Sequence, residues 1–159
     1  HYSMTSYIAF LRGIMPTNPN MRNEKLRAVF EKLGFTNVQS IISSGNIIFQ
    51  CDSKNISELE EKIEKALLKE LSIQSPAYVR SKADIEKIIA EDPFPGATHS
   101  KTTYLIVSFL KQKPHEIFTV IDTTNSRTTN FMSNLDKKYN KEVTTRTWKT
   151  VERVLAKMK

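Results

Sequence analysis

Val38-Gln-Ser-Ile-Ile-Ser-Ser-Gly-Asn-Ile-Ile-Phe-Gln-Cys51 is the stretch that decides the fold. Val38–Ile42 and Ile47–Cys51 read as strands, and Ser43-Ser44-Gly45-Asn46 reads as a turn joining them with no helix between. Working outward, Leu26, Val29, Phe30 and Leu33 precede this pair at the i, i+3, i+4, i+7 spacing of one helix face. Asn18-Pro19-Asn20 marks the start of that helix, and Gly34 its left-handed end. Tyr7–Leu11 is an apolar run too short for a helix and reads as a buried strand. On the other side, Asn55 caps a helix with Glu58 placed for a capping box, and Ile56, Leu59, Ile63, Leu67 and Leu71 form its buried stripe. Ala77–Arg80 is a brief strand. The order over residues 6–80 is β-α-β-β-α-β, the ferredoxin-like split unit, an antiparallel sheet with both helices on one face.

The second half is less regular. Ser81 caps a helix carrying Ile85, Ile88 and Ile89, and Asp92-Pro93-Phe94-Pro95-Gly96 stops it. Thr103–Leu110 is the strongest strand, Ile117–Ile121 a weaker one, and Asn130–Tyr139 a short helix. Val151, Val154, Leu155 and Met158 define a terminal amphipathic helix. No repeat is evident in the sequence. The expected division is residues 4–80 and 81–159.

The composition, 39% apolar and 26% charged over 159 residues, is that of a folded chain and argues against global disorder. No apolar run is long enough to span a membrane as a helix. His1-Tyr2-Ser3 read as a remnant ahead of Met4, and no signal peptide is recognisable. Cys51 is the single cysteine, so no internal disulfide can form; a reducing, cytoplasmic setting is expected. The formal charge is +7, and residues 137–159 carry +6 of it. Such a basic tail is either an electrostatic footprint for a polyanion or a solvated helix face.

The segments Tyr7-Ile8-Ala9-Phe10-Leu11-Arg12-Gly13-Ile14, Leu26-Arg27 through Leu33-Gly34-Phe35, and Ser44-Gly45-Asn46-Ile47-Ile48-Phe49 resemble the start of the bacterial domain-of-unknown-function 1697 family. Thr144-Thr145-Arg146-Thr147-Trp148-Lys149-Thr150-Val151 resembles its terminal motif, so the likeness runs from Ser6 to about Ala156. The resemblance implies an α+β chain of two ferredoxin-like (α/β-plait) subdomains, the second diverged and shortened, and it implies no reaction. Two departures stand out. Met15-Pro16-Thr17-Asn18 replaces an Asn-Val-Gly-Gly stretch of relatives, and Asp122–Asn130 is shortened, so a hairpin of the second subdomain is expected to be missing.

The candidate ligand-binding residues are Arg12, Ser44, Asn46, Arg80, Arg146, Trp148, Lys149 and Thr150. Thr147 is a natural N-cap for the last helix, whose first turn presents unpaired N–H groups suited to phosphate; Arg146 and Lys149 flank it, and Trp148 offers a stacking surface. The alternative is that Thr147 only caps and that Trp148 joins Val151 and Leu155 in the core. The topology as read here sets the first and third strands parallel. Both following helices then start beside Arg12, which either awaits an anion or pairs with Asp52 or Glu24. The Ser44-Gly45-Asn46 turn then falls at the opposite edge, near Arg80, as a backbone ligand cradle or a plain hairpin turn. The basic-glycine-aromatic signature of RNA-recognition modules is missing. His99 and His115 lack metal-ligand spacing, and no cofactor or metal is implied. The expected function is a binding protein for a phosphate-bearing small molecule or nucleic acid. The alternative is an enzyme acting on a small anionic substrate without metal, with Arg12, Arg146 and Lys149 as clamps.

Overall fold

A computed structural model describes residues 3–42, 45–124 and 130–159. The chain divides into two compact units, His1–Glu86 with Val154–Lys159, and Lys87–Arg153. The division falls inside the third helix, not at residue 80.

The first unit contains β1 (Thr5–Leu11), α1 (Asn23–Lys32), β2 (Thr36–Ser40), β3 (Asn46–Cys51), α2 (Ile56–Leu71), β4 (Ala77–Ser81) and the start of α3 (Lys82–Ala90). Its sheet runs β2-β3-β1-β4. The helix α1 begins later than Asn18-Pro19-Asn20 implies. Asn18 caps a single 3-10 turn, Pro19–Met21, its side chain accepting from the Asn20 N–H at 2.9 Å, and Arg22 then returns to extended backbone. Asn55 caps α2 as expected, accepting from the Glu58 N–H at 3.1 Å.

All strand pairs in this sheet are antiparallel, and β1 faces β3 with Thr5 opposite Cys51 and Phe10 opposite Asn46. This corrects the parallel setting read from the sequence. The α1 crossover returns the chain so that β2 runs with β1, and the tight hairpin then reverses it, so β3 runs against β1. Arg12 is therefore beside the start of α1 only, because α2 starts at the far end of β3.

Tyr7, Ala9 and Leu11 point to the helices, where they join Leu26, Phe30, Phe49, Ile63 and Leu67 in the main core. Phe35 stacks on Phe49 at 4.5 Å between ring centroids. Ile8, Phe10, Ile48 and Tyr78, on the opposite face, are buried too. A sheet buried on both faces offers no open platform for stacking RNA bases. The outer edge of β4 is closed as well: Glu60 and Glu64, one turn apart on α2, accept the N–H groups of Val79 (2.9 Å) and Ala77 (2.8 Å).

The second unit holds β5 (Thr103–Leu110), β6 (Glu116–Asp122), α4 (Phe131–Lys138) and β7 (Val143–Thr147), with most of α5 (Trp148–Lys157). Its antiparallel sheet runs β6-β5-β7. Leu110, Leu135 and Val143 form its small core against α4, with Ile117, Phe131 and Tyr139 packed around them. In order and pairing, β5, β6, α4 and β7 correspond to β1, β3, α2 and β4. Nothing between β5 and β6 corresponds to α1 and β2; residues 111–115 simply turn the chain. The shortening expected at Asp122–Asn130 falls largely on residues 125–129, which lie outside the described residues.

Candidate functional site

In the first unit the edge that carries Arg12 also carries the Gly45-Asn46 turn. The Leu11 N–H donates to the Gly45 carbonyl (2.8 Å), the Arg12 N–H to Pro76 O (3.0 Å), and the Ser75 hydroxyl to Arg12 O (2.7 Å). The expectation that Arg12 and this turn lie at opposite edges is corrected by the same antiparallel register. Asn46 is 1% exposed, and its amide donates to Ile41 O at 3.0 Å, closing the hairpin. Gly45 has φ +77°, and a Cβ there would lie 2.6 Å from Ile14 Cγ1. This turn therefore has a packing reason for its Gly and Asn. Ser44 lies outside the described residues.

Arg80 is not beside that turn. It faces Ile8 across the β1–β4 pair, is buried, donates to Val79 O (2.9 Å), and has the Glu60 carboxylate at 4.0 Å. Its neighbour Ser81 forms a reciprocal capping box with Asp84, at 3.1 and 2.9 Å, that starts α3.

The second unit repeats this arrangement. Arg146 donates to the carbonyl of the preceding residue, Thr145 (2.8 Å), and to the Thr144 hydroxyl (2.8 Å). Thr147 starts α5, its hydroxyl accepting from the Thr150 N–H (3.3 Å) and lying 3.0 Å from the Thr150 hydroxyl. Arg80-Ser-Lys-Ala-Asp-Ile-Glu-Lys-Ile-Ile89 aligns with Arg146-Thr-Trp-Lys-Thr-Val-Glu-Arg-Val-Leu155 without a gap. The two segments share Arg and Glu and have similar residues at five further positions, while Lys82, Ala83 and Asp84 stand against the unlike Trp148, Lys149 and Thr150, which hides the likeness in the sequence.

By register Arg146 shares a side of the sheet with Val107 and Phe118. Phe118 and Trp148 both pack edge-on against Phe94, at 5.8 and 5.2 Å. Desolvation lowers the guanidinium pKa to about 10, which leaves it cationic at neutral pH. Lys149 is exposed in the first turn of α5, with Arg153 exposed one turn on. Of the candidate residues, then, Arg146, Trp148, Lys149 and Thr150 come together at one strand-to-helix junction. Arg12 and Asn46 belong to a different place in the first unit.

The remaining polar candidates have structural explanations. Cys51 is buried, and burial pushes its thiol pKa up. The imidazole Nδ1 of His99 accepts from the Leu105 N–H at 3.2 Å, and the ring stacks on Tyr104. Among the described residues no group of three or more His, Cys, Asp or Glu could hold a metal ion, and no helix is long and apolar enough to cross a membrane.

Among the described residues the fold is mixed α/β, with two antiparallel sheets and five α-helices. Residues 4–139 match the family model described as "Protein of unknown function (DUF1697)", and the chain belongs to that family. The match ends before Thr144–Val151, so the terminal motif stands outside it. The chain is similar in fold to the conserved bacterial protein SP0830 from Streptococcus pneumoniae, with a TM-score of 0.73 at 21% identity over 97% of this chain and 98% of that one. No curated protein matches it.

Proposed function

We propose that the chain is a cytoplasmic binding protein for a phosphate-bearing ligand, small molecule or nucleic acid, held in the second unit at the junction of β7 and α5. We also read the first unit as a ferredoxin-like plait and the second as its shortened, diverged copy. The supporting observation is the sequence Arg146-Thr147-Trp148-Lys149 at a helix start. There a desolvated guanidinium, an exposed ammonium and the first N–H groups of α5 stand within a few residues of one another. The N–H groups of Trp148 and Lys149 have no intrahelical acceptor, because the first turn of any α-helix lacks one. Together with the positive end of the helix dipole, they favour an anion. A guanidinium supplies fixed, directional donors to phosphate oxygens, and Lys149 a mobile point charge. The +6 charge of residues 137–159 would raise the local concentration of such ligands.

The test is a titration with short single-stranded RNA and DNA, and separately with pyrophosphate, at several salt concentrations. Nucleic-acid binding predicts a log–log salt slope of about −0.7 per phosphate contact on single strands. Saturable pyrophosphate binding without oligonucleotide binding assigns a small ligand. Binding of neither at about 50 mM salt refutes the proposal.

A further inference from the structure

We propose that the groove between α1 and α2 of the first unit docks an acidic amphipathic helix of a partner protein. The groove has a volume of about 360 Å³. Val29, Leu33 and Ala66 form its apolar floor, and Lys32, Lys62, Lys65 and Lys69 stand around it as exposed residues. It lies wholly in the first unit and is separate from the anion site assigned to the second.

The charges of α2 are sorted by face. Glu60 and Glu64 turn toward β4, where their carboxylates accept the N–H groups of Val79 and Ala77. Lys62, Lys65, Ala66 and Lys69 follow the i, i+3, i+4, i+7 spacing of one helix face, and all four line the groove. Lysines three and four residues apart repel each other on a helix. The chain relieves only part of that repulsion. Lys65 pairs with Glu61 at 2.9 Å, and Lys32 reaches from α1 to Glu70 at 3.0 Å. Among the described residues no carboxylate lies within ion-pair distance of Lys62 or Lys69. Glu58 precedes Lys62 by four residues, yet the Lys62 ammonium sits over the Phe35 ring instead, 5.9 Å from its centroid.

Two uncompensated ammonium groups beside an apolar floor select a partner that is both acidic and apolar. Lys62 and Lys69 are seven residues apart, about 10.5 Å along the helix axis. Seven residues of a second helix laid along α2 cover the same distance. Such a helix sets a Leu-sized side chain over Ala66, whose own small side chain permits close approach. Carboxylates one turn to either side then face Lys62 and Lys69. This is the helix-in-groove mode, with an apolar anchor for affinity and charges for orientation. A phosphate backbone would leave Leu33 and Ala66 without an apolar contact. A second copy docked by two-fold symmetry would set these lysines against themselves.

The probe is a fluorescein-labelled helical peptide with one central Leu and Glu three and four residues to either side, followed by anisotropy at low salt. Saturable binding is expected, weakening as salt is added. In the double variant Lys62→Gln/Lys69→Gln it should weaken about three- to ten-fold, the loss of two exposed charge pairs, with the urea midpoint unchanged. A peptide with Ser in place of the central Leu should also bind more weakly, which charge alone does not predict. No saturable binding, equal binding by the double variant, or equal binding of the Ser peptide would overturn the proposal. A lowered urea midpoint in the double variant would do the same, by giving the lysines a structural role. So would an oligonucleotide or an anionic phospholipid vesicle whose binding falls by the same factor in the double variant, since that assigns the lysines to phosphate.

Discussion

Replacing Glu60 by Ala should destabilise the first unit more than removal of any other exposed-looking charge on α2. Glu60 is 8% exposed, and one of its carboxylate oxygens accepts the Val79 N–H at 2.9 Å while lying 4.0 Å from the buried Arg80 guanidinium. Leaving a buried N–H unsatisfied costs about 1–3 kcal/mol. Breaking a buried ion pair costs about 3–5 kcal/mol at good geometry, and this pair sits at the outer limit of contact, so about 1–2 kcal/mol is the appropriate share. Together the substitution should cost about 3 kcal/mol, or roughly 6–12 °C in Tm for a chain of this size. Glu60→Gln keeps an acceptor for Val79 and removes only the charge, so it should cost about 1–2 kcal/mol. Urea unfolding of the three proteins measures both steps. A loss below about 1 kcal/mol for Glu60→Ala, or equal losses for Ala and Gln, would refute the reasoning that the edge-capping bond and the ion pair both stabilise the unit.

Gly45→Ala should cost about 2–4 kcal/mol, from a left-handed backbone and a forced contact with Ile14, measured by denaturant unfolding. Asn46→Ala should also destabilise, by about 1–3 kcal/mol, since it opens the hairpin closure and strands the Ile41 carbonyl. The Cys51 thiol should react with a disulfide reagent only on unfolding at neutral pH, because burial raises its pKa and hides it. Its linkage runs in one direction: with the folded-state pKa raised, its contribution to stability holds below the ordinary thiol pKa and is lost as pH rises through the raised one.

The first unit was the more legible because two periodicities coincide in it. Tyr7–Leu11 and Ile47–Cys51 read as strands, Leu26–Leu33 and Ile56–Leu71 as one-sided helices, and each is found within a few residues of its expected bounds. Strand direction was misread, since it depends on counting chain reversals and no single residue encodes it. That error moved the Gly45-Asn46 turn to the wrong edge from Arg12. The role of Glu60 and Glu64 was hidden for another reason: a glutamate that caps a neighbouring strand is indistinguishable in sequence from one facing water. The Arg146–Leu155 segment was legible as a helix start, yet its likeness to Arg80–Ile89 rests on two identities and five similar pairs interrupted by three unlike ones, and is supported by both arginines bonding to the preceding carbonyl.

Trp148 is the single tryptophan of the chain and the first residue of α5, so its emission reports on the proposed site with no label. Titrating pyrophosphate into the protein at about 50 mM salt, a saturable change in Trp148 emission is predicted, greatly weakened in Lys149→Glu with unfolding unchanged. An emission spectrum indifferent to pyrophosphate, or a titration identical in the two proteins, would contradict the assignment of an anion site to this junction.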